Sequence, residues 1–421
     1  MRPPKVTVIL GSLVTLSFCY GSVRTGLDRV GEHEDVFQGK RLGIITNHTA
    51  YDRDGRFVVD VFRQMAGVTV RALFSPEHGL WGKEEAGDGI DNRVDPVYRL
   101  PVRSLYGKTR KPTSEMLQDI DVLVFDIQDI GARFYTYIST MSLAMEAAAE
   151  NGKRFVVLDR PNPINGIRVE GNILDPVLAS FVGLHPIPVR HGMTAGELAR
   201  MFNGQGWLSG RVKADLVVIP MEGWHRGEGV PPLNQKQGQD GLATMWYDQT
   251  GLRFIKPSPN MPDLQTAVVY PGLCLLEGSN VSEGRGTDKP FRQFGAPWID
   301  AKRLAEHLNT LCLPGVRFEP TRFTPTSSKH QGKTCNGVRI TVMERNSLVP
   351  YFSGIRIVDT IFRLYPDHFQ WRAGHFDRLC GTSAVRKAIT SGSSLDALRN
   401  EWQTELTSFK TIRGRYLIYR D

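Results

Sequence analysis

Five short runs of β-branched and apolar residues constrain this chain more than any other feature: RLGIIT (41 to 46), VTVRALF (68 to 74), PVRSLY (101 to 106), VLVFDI (122 to 127) and RFVVLD (154 to 159). Each is bounded by polar, glycine or proline residues, the pattern of a buried strand. Between them, RFVVDVFRQMAG and SEMLQDI have helical spacing, and FYTYISTMSLAMEAAAENG is a longer segment with an apolar face and a glycine stop at Gly152. Strands alternating with helices predict an α/β fold with a Rossmann-like parallel sheet and right-handed crossovers.

That arrangement places polar residues at the carboxyl ends of strands. Asn47 and His48 follow the first run, Ser75, Glu77 and His78 the second, Asp126 and Asp129 the fourth, and Asp159 and Arg160 the fifth. Any one of these is an ordinary cap or turn residue. Four strand ends of this kind together predict a shared site, because open α/β sheets bind ligands beyond the carboxyl ends of their strands. The first run continues as NHTAYDRDG, without Gly-x-Gly-x-x-Gly, which argues against a dinucleotide. No cofactor is expected.

From about residue 160 the texture changes. DRPNPINGIRVEGN and LHPIPVRHGMTAGELARMF are rich in proline, glycine and charge, and a helix is predicted behind Thr194, with Glu197 three residues later. RGEGVPPLNQKQGQDGLATMWYDQTG reads as a surface loop or domain connection. YPGLCLLEGSNVSEGRGTDKPF (270 to 291) is turn-rich: its glycines free backbone amides for an anionic or sugar oxygen, and Glu277, Asn280, Glu283, Arg285 and Asp288 supply hydrogen-bonding groups. The tail mixes helices and strands in RLAEHLNTLC, GVRITV and SLDALRNEW. We divide the chain into a leader (1 to 22), a Rossmann-like domain (23 to 255) and a smaller α+β domain (256 to 421).

With 421 residues, 41% hydrophobic and 23% charged, the chain can bury two domain-sized cores. Its formal charge of +8 suits an anionic partner. No concentrated basic tract or basic-aromatic pattern accompanies that charge, so nucleic acid is not an expected partner. Arg2 and Lys5, followed by an apolar run from Val6 to Phe18 and small residues, read as an export signal too short to span a bilayer comfortably. A buried first strand, VTVIL, is the competing reading. Cys19 stands where a lipoprotein cysteine would, but Phe18 is bulky where such a signal wants a small residue, which favours a soluble exported protein over an anchored one. Cys274, Cys312, Cys335 and Cys380 are too scattered for zinc spacing, and are either disulfide-forming or buried thiols.

The motifs SPEHGL, VLVFDIQDIGARFYTYISTM, VLDRPNPINGIRVEGN, PIPVRHGMTAGELA, PSPNMPDLQTAVVYPGLCLLEGSNVSEGRGTDKPF and FGAPWID resemble, in this order, those of the NamZ-type exo-β-N-acetylmuramidases. The resemblance runs from about Gly26 to the C-terminus and is densest between residues 73 and 298. Ser279 and Asp263 depart from it, standing where threonine is expected. It implies a Rossmann-like domain joined to a smaller C-terminal domain with the active-site cleft between them. It also implies release of N-acetylmuramic acid from the non-reducing end of peptidoglycan-derived glycans.

Glycoside hydrolysis needs a proton donor for the departing oxygen and a second group to meet oxocarbenium-like charge. Glu77 suits the donor, with Pro76 fixing the turn and Leu80 and Trp81 as expected apolar surroundings. Asp126, Glu170 and Glu283 all qualify as its partner, and the substrate's own acetamido group is an alternative nucleophile. Muramic acid carries a lactyl carboxylate, for which arginine is the natural reader. Arg133, Arg160, Arg190 and Arg285 are the candidates. Asn47, His78, His191, Asn280 and Glu283 complete the expected sugar-binding set, and Tyr135, Tyr137 and Trp81 offer faces for stacking on a sugar or, for the tyrosines, side chains for the core. Two other classes fit less of the sequence. A metal-dependent amidase or esterase would use His48, His78, Asp126 and His191, without H-E-x-x-H spacing to support it. A non-catalytic exported sugar-binding protein would use the same two-domain cleft.

Overall fold

The computed structural model describes residues 22–84, 92–226 and 245–419. The leader, Cys19 included, lies outside the described residues save Ser22, as does most of the connection expected at 226 to 251.

A 3-10 turn (Leu27–His33) and a short helix α1 (Glu34–Phe37) lead into β1 (Arg41–Thr46). There follow α2 (Val58–Arg63), β2 (Thr69–Ser75), β3 (Arg93–Val94), β4 (Pro101–Ser104), β5 (Val122–Asp126), α3 (Tyr137–Glu150) and β6 (Arg154–Leu158). Next come β7 (Glu170–Ile173), β8 (Pro188–Arg190), α4 (Ala195–Gly204) and β9 (Asp215–Ile219). Seven of these strands form one sheet in the order β3-β4-β2-β1-β5-β6-β9, parallel except for β3 at the edge. The chain winds from β1 to β2 on one side and then returns to β5 on the other, so the strand order reverses between β1 and β5.

All five predicted runs are strands of this sheet. β5 is buried along its whole length and β1 beyond its first residue, because helices cover both faces. On one face, Val58, Val59 and Phe62 of α2 pack on Leu42, Ile44 and Val124. On the other, Met141, Ala144 and Met145 of α3 and Leu198 and Phe202 of α4 join Ile45, Phe74 and Phe125 in a core that continues into the C-terminal domain. Two segments depart from expectation and one meets it. SEMLQDI forms only a 3-10 turn at Glu115–Leu117. The stretch after residue 160 contributes an antiparallel pair, β7 with β8, and a seventh sheet strand, β9. The predicted helix behind Thr194 is α4, and Thr194 and Glu197 form the full reciprocal cap.

The C-terminal domain opens with α5 (Leu264–Leu273), capped by Asp263, whose carboxylate accepts the Thr266 amide at 2.8 Å. A 3-10 turn over Cys274–Gly278 follows directly. Then come β10 (Gln293–Ala296), α6 (Ala301–Thr310), β11 (Val316–Phe323), β12 (Cys335–Val342), α7 (Pro350–Leu364), α8 (Ala373–Cys380), α9 (Ala384–Ser391) and α10 (Leu395–Arg413). β10, β12 and β11 make a three-stranded antiparallel sheet. Gly272 of α5 and Gly354 of α7 meet backbone to backbone, and a Cβ on either would overlap the other helix. Helix α10 returns to pack on β7, tying the two domains together. Cys274, Cys335 and Cys380 are buried free thiols, and Cys312 is an exposed one. Among the described residues no helix is long and apolar enough to cross a membrane.

Candidate active site

Beyond β2 the chain makes a tight turn through Pro76, with His78 at φ +70° and Gly79 at φ +71°. A left-handed histidine is uncommon, and here its Nδ1 contacts the Glu84 carbonyl oxygen at 2.8 Å. The turn leaves Glu77 half-buried, and the hydroxyl of Thr136 donates to its Oε2 at 2.7 Å. Thr136 precedes the first turn of α3 but does not cap it. Its hydroxyl serves the carboxylate instead.

Glu77 opens onto a cavity of about 410 Å³ between the two domains. The Rossmann-like side contributes His78, Phe134, Tyr135, Thr136 and Tyr137, and the C-terminal side Tyr270, Glu277, Arg285, Phe291 and His375. A chain of edge-to-face aromatic contacts joins the sides: Tyr137 to Tyr135 at 5.0 Å, Tyr135 to Tyr270 at 5.8 Å, and Tyr270 to Phe291 at 4.8 Å. The Arg285 guanidinium lies over the Phe291 ring at 5.0 Å. Burial, with the charges of Asp129 and Glu77 nearby, pushes the Tyr135 hydroxyl well above its ordinary pKa. It therefore stays a neutral hydrogen-bonding group.

Glu277 is the second carboxylate in the cavity. Burial opposes its ionisation, but Arg285, at 2.7 Å, and His375, at 3.5 Å, outweigh that and hold its pKa down at about 2. Arg285 in turn reaches Glu283 at 3.3 Å, and Lys329 pairs with Glu283 at 2.9 Å. The result is a negative charge facing the aromatic wall, backed by a partly buried network of three charged groups, Arg285, Glu283 and Lys329, and by His375.

Of the residues expected from sequence, Glu77, His78, Tyr135, Tyr137, Glu277 and Arg285 line this cavity. Glu283 stands behind Arg285. The other two partners offered for Glu77 are engaged elsewhere. Asp126, fully buried, is locked to Arg160 by two hydrogen bonds, of 2.5 and 3.0 Å. Glu170 accepts the Phe352 amide at 3.0 Å in the first turn of α7, and burial raises its pKa. Arg160 instead borders another cavity, of about 700 Å³, with His48 and Gln128.

Two of the expected carboxylate readers are structural donors. Arg133, with no exposed surface, donates to the carbonyls of Asn172, Ile187, Leu379 and Cys380 at 2.7 to 3.1 Å, and burial lowers its pKa to about 10. Arg190 donates to the Ile164 carbonyl and is likewise pushed down to about 10 by burial. His191 is buried, accepts the Met193 amide at Nδ1, and has its pKa lowered to about 3 by burial. Asn47 closes a turn by accepting from the Thr49 amide and hydroxyl at 3.0 and 2.6 Å. Asn280 fixes its loop to the backbone of His368 and Gln370. Leu80 and Trp81 belong to the opposite face of the sheet, with Trp81 packed on Phe57 and bonded to Asp95 at 2.9 Å. The apolar surroundings of the site come instead from Phe134, Tyr135, Tyr270 and Phe291.

The set weighed for a metal site does not assemble. Asp126 is paired to Arg160, and the His191 Nδ1 is occupied. Among the described residues no three His, Cys, Asp or Glu side chains are placed to share an ion. Sequence reasoning named Glu277 only as a hydrogen-bonding group and did not single out Thr136, Tyr270 or His375, all of which line the cavity. Glu277 was visible as a polar residue in the turn-rich segment, and Thr136 lies inside the motif around Tyr135. His375 gave no local signal.

Family comparison agrees with this architecture across both domains. The N-terminal model of the exo-beta-N-acetylmuramidase NamZ matches residues 42–265, and the C-terminal model residues 268–419. A protein of Bacillus subtilis (strain 168), described as peptidoglycan beta-N-acetylmuramidase NamZ, is 46% identical over 399 residues, covering 94% of this chain and 91% of the relative. Two crystal structures of DUF1343 family proteins from Bacteroides fragilis NCTC 9343 share the fold. One has a TM-score of 0.83 at 38% identity and the other 0.73 at 32%, each covering 95% of this chain and 99% of its own.

Proposed function

Since this chain belongs to the NamZ family of exo-β-N-acetylmuramidases, we propose that the cavity holding Glu77 and Glu277 is its active site. The protein is a glycoside hydrolase that releases N-acetylmuramic acid from the non-reducing end of peptidoglycan fragments. The observation that carries the site assignment is the pairing of two differently held carboxylates in one cavity, since this chemistry asks two such groups to do different work.

Glu77 acts as general acid. Thr136 fixes one carboxylate oxygen, and the other has no hydrogen-bond partner among the described residues, which leaves it for the departing glycosidic oxygen. Glu277 supplies the negative charge that meets the oxocarbenium-like transition state. A carboxylate held near pKa 2 by a guanidinium is a weak base and a weak nucleophile, yet a reliable fixed charge. The aromatic wall of Tyr135, Tyr137 and Tyr270 offers faces for the sugar ring. Incubating the purified protein with a muramic acid-glucosamine disaccharide and weighing the products tests the activity. Free N-acetylmuramic acid is the expected product, and recovery of intact disaccharide would contradict it.

The enzyme works after export, in the turnover and recycling of cell-wall glycans. Support for this comes from Arg2, Lys5 and the apolar run from Val6 to Phe18. Sequencing the N-terminus of the mature protein tests it, and an intact Met1 on cytoplasmic protein would count against it.

A further inference from the structure

The four arginines expected to read the lactyl carboxylate are all committed: Arg133 and Arg190 to backbone carbonyls, Arg160 to Asp126, and Arg285 to Glu277 and Glu283. The cavity nevertheless contains two more guanidinium groups, Arg110 and Arg378. Both are exposed, and neither has an ion-pair partner among the described residues.

Their placement suits a bound anion. Arg110 follows β4 and stacks over the Phe181 ring at 4.6 Å, and Phe181 packs in turn on Tyr106 at 5.9 Å. Stacking occupies the face of the guanidinium and leaves its N–H edge available. Arg378 comes from the other domain, on α8, three residues after the His375 that contacts Glu277. The two therefore project from the same side of the helix. Glu277 is already paired with Arg285 and in contact with His375. A substrate that brings its own carboxylate would balance Arg110 and Arg378.

We propose that Arg378, with Arg110 from the opposite domain, binds the lactyl carboxylate of the terminal muramic acid and so sets the preference for muramic acid over glucosamine. This rests on the muramidase reading above. Two guanidinium groups placed to pair a carboxylate favour it over an analogue lacking that charge, which leaves them without their partner.

The test compares a nitrophenyl N-acetylmuraminide with the same glycoside carrying a lactyl carboxamide. The wild type should prefer the carboxylate in kcat/KM by roughly tenfold to a hundredfold, the range of a charge-assisted hydrogen bond. In the Arg110→Ala/Arg378→Ala double variant that preference should fall towards unity, through a raised KM for the carboxylate substrate. Each single variant should fall between, and Arg378→Lys should keep part of the preference. A structural loss would lower both substrates and leave their ratio intact. A wild-type preference that survives in the double variant, or no preference in the wild type, overturns the assignment of these arginines. Wild-type protein that cleaves neither substrate contradicts the muramidase reading itself.

Discussion

The Thr136 hydroxyl donates to Glu77 across 2.7 Å, linking the start of α3 to the turn after β2. The carboxylate at the mouth of the cavity is thereby held by the start of a helix packed on the sheet as well as by its own turn.

Glu77→Gln keeps this shape and removes the transferable proton. The variant should stay folded and bind substrate, yet lose on the order of a hundredfold or more in kcat on a disaccharide. A nitrophenyl glycoside, whose leaving group needs little protonation, should be partly spared. Thr136→Val should cost less, about tenfold in kcat with KM little changed, because it frees the carboxylate to rotate without removing it. Wild-type rates for Glu77→Gln on both substrates would eliminate Glu77 as the acid.

Arg285 bears on the pH profile through Glu277. In the wild type Arg285 holds the Glu277 pKa well below the ordinary carboxylate range against the effect of burial, so its titration does not limit activity near neutrality. Arg285→Ala removes the principal cation holding it there, and burial then acts with less opposition. Its pKa should rise, and the acidic limb of the kcat profile should move to higher pH. Lower activity with an unmoved acidic limb would show that Arg285 does not act through Glu277.

How much of this was legible in the sequence depends on whether the determining interaction was local. The central strands were, because a sheet covered on both faces requires continuous apolar runs such as VLVFD. Strand β9 was missed because most of it is partly exposed, lying at the edge between proline- and glycine-rich segments. Glu77 and Tyr135, which line the cavity, were singled out from the end of a strand and from motifs. Glu277 is defined by Arg285 eight residues later and by His375, which only the fold brings to it. Nor does an arginine announce its acceptor: Arg133 donates to Leu379 and Cys380 across more than 240 residues of chain.

The Asp126–Arg160 pair should prove a stability element. Arg160 is 7% exposed, so Asp126→Ala leaves a nearly buried guanidinium without its partner. The expected loss is about 3 to 5 kcal/mol, read as a lower urea midpoint at constant m-value. Replacing both residues, as in Asp126→Leu with Arg160→Met, should recover much of it, since no charge is then stranded. If instead Asp126→Ala unfolded normally but abolished turnover, Asp126 would return as a partner for Glu77.

Asp129 should give the stability of the protein a specific dependence on pH. Burial pushes its carboxyl up to about 7, against the opposing effect of the Gly131 and Ile130 amides, and its Oδ1 has no hydrogen-bond partner among the described residues. The folded state therefore holds a proton that the unfolded chain releases near pH 4. Its contribution is fully present below about pH 4, is lost as pH rises towards 7, and is flat above. Integrated over that window, the loss is on the order of 4 kcal/mol. His185 and His191, lowered by burial to about 4 and about 3, act in the opposite sense, destabilising the fold as pH falls below the ordinary histidine range. The difference between wild type and Asp129→Asn isolates the aspartate from them. The asparagine keeps an acceptor for the Gly131 amide, which lies 2.7 Å from Asp129 Oδ2, and cannot ionise. Relative to wild type, the variant should gain stability steadily between pH 4 and pH 7 in urea titrations. Parallel pH curves for the two proteins would mean that Asp129 is ionised in the folded state and that the assignment is wrong.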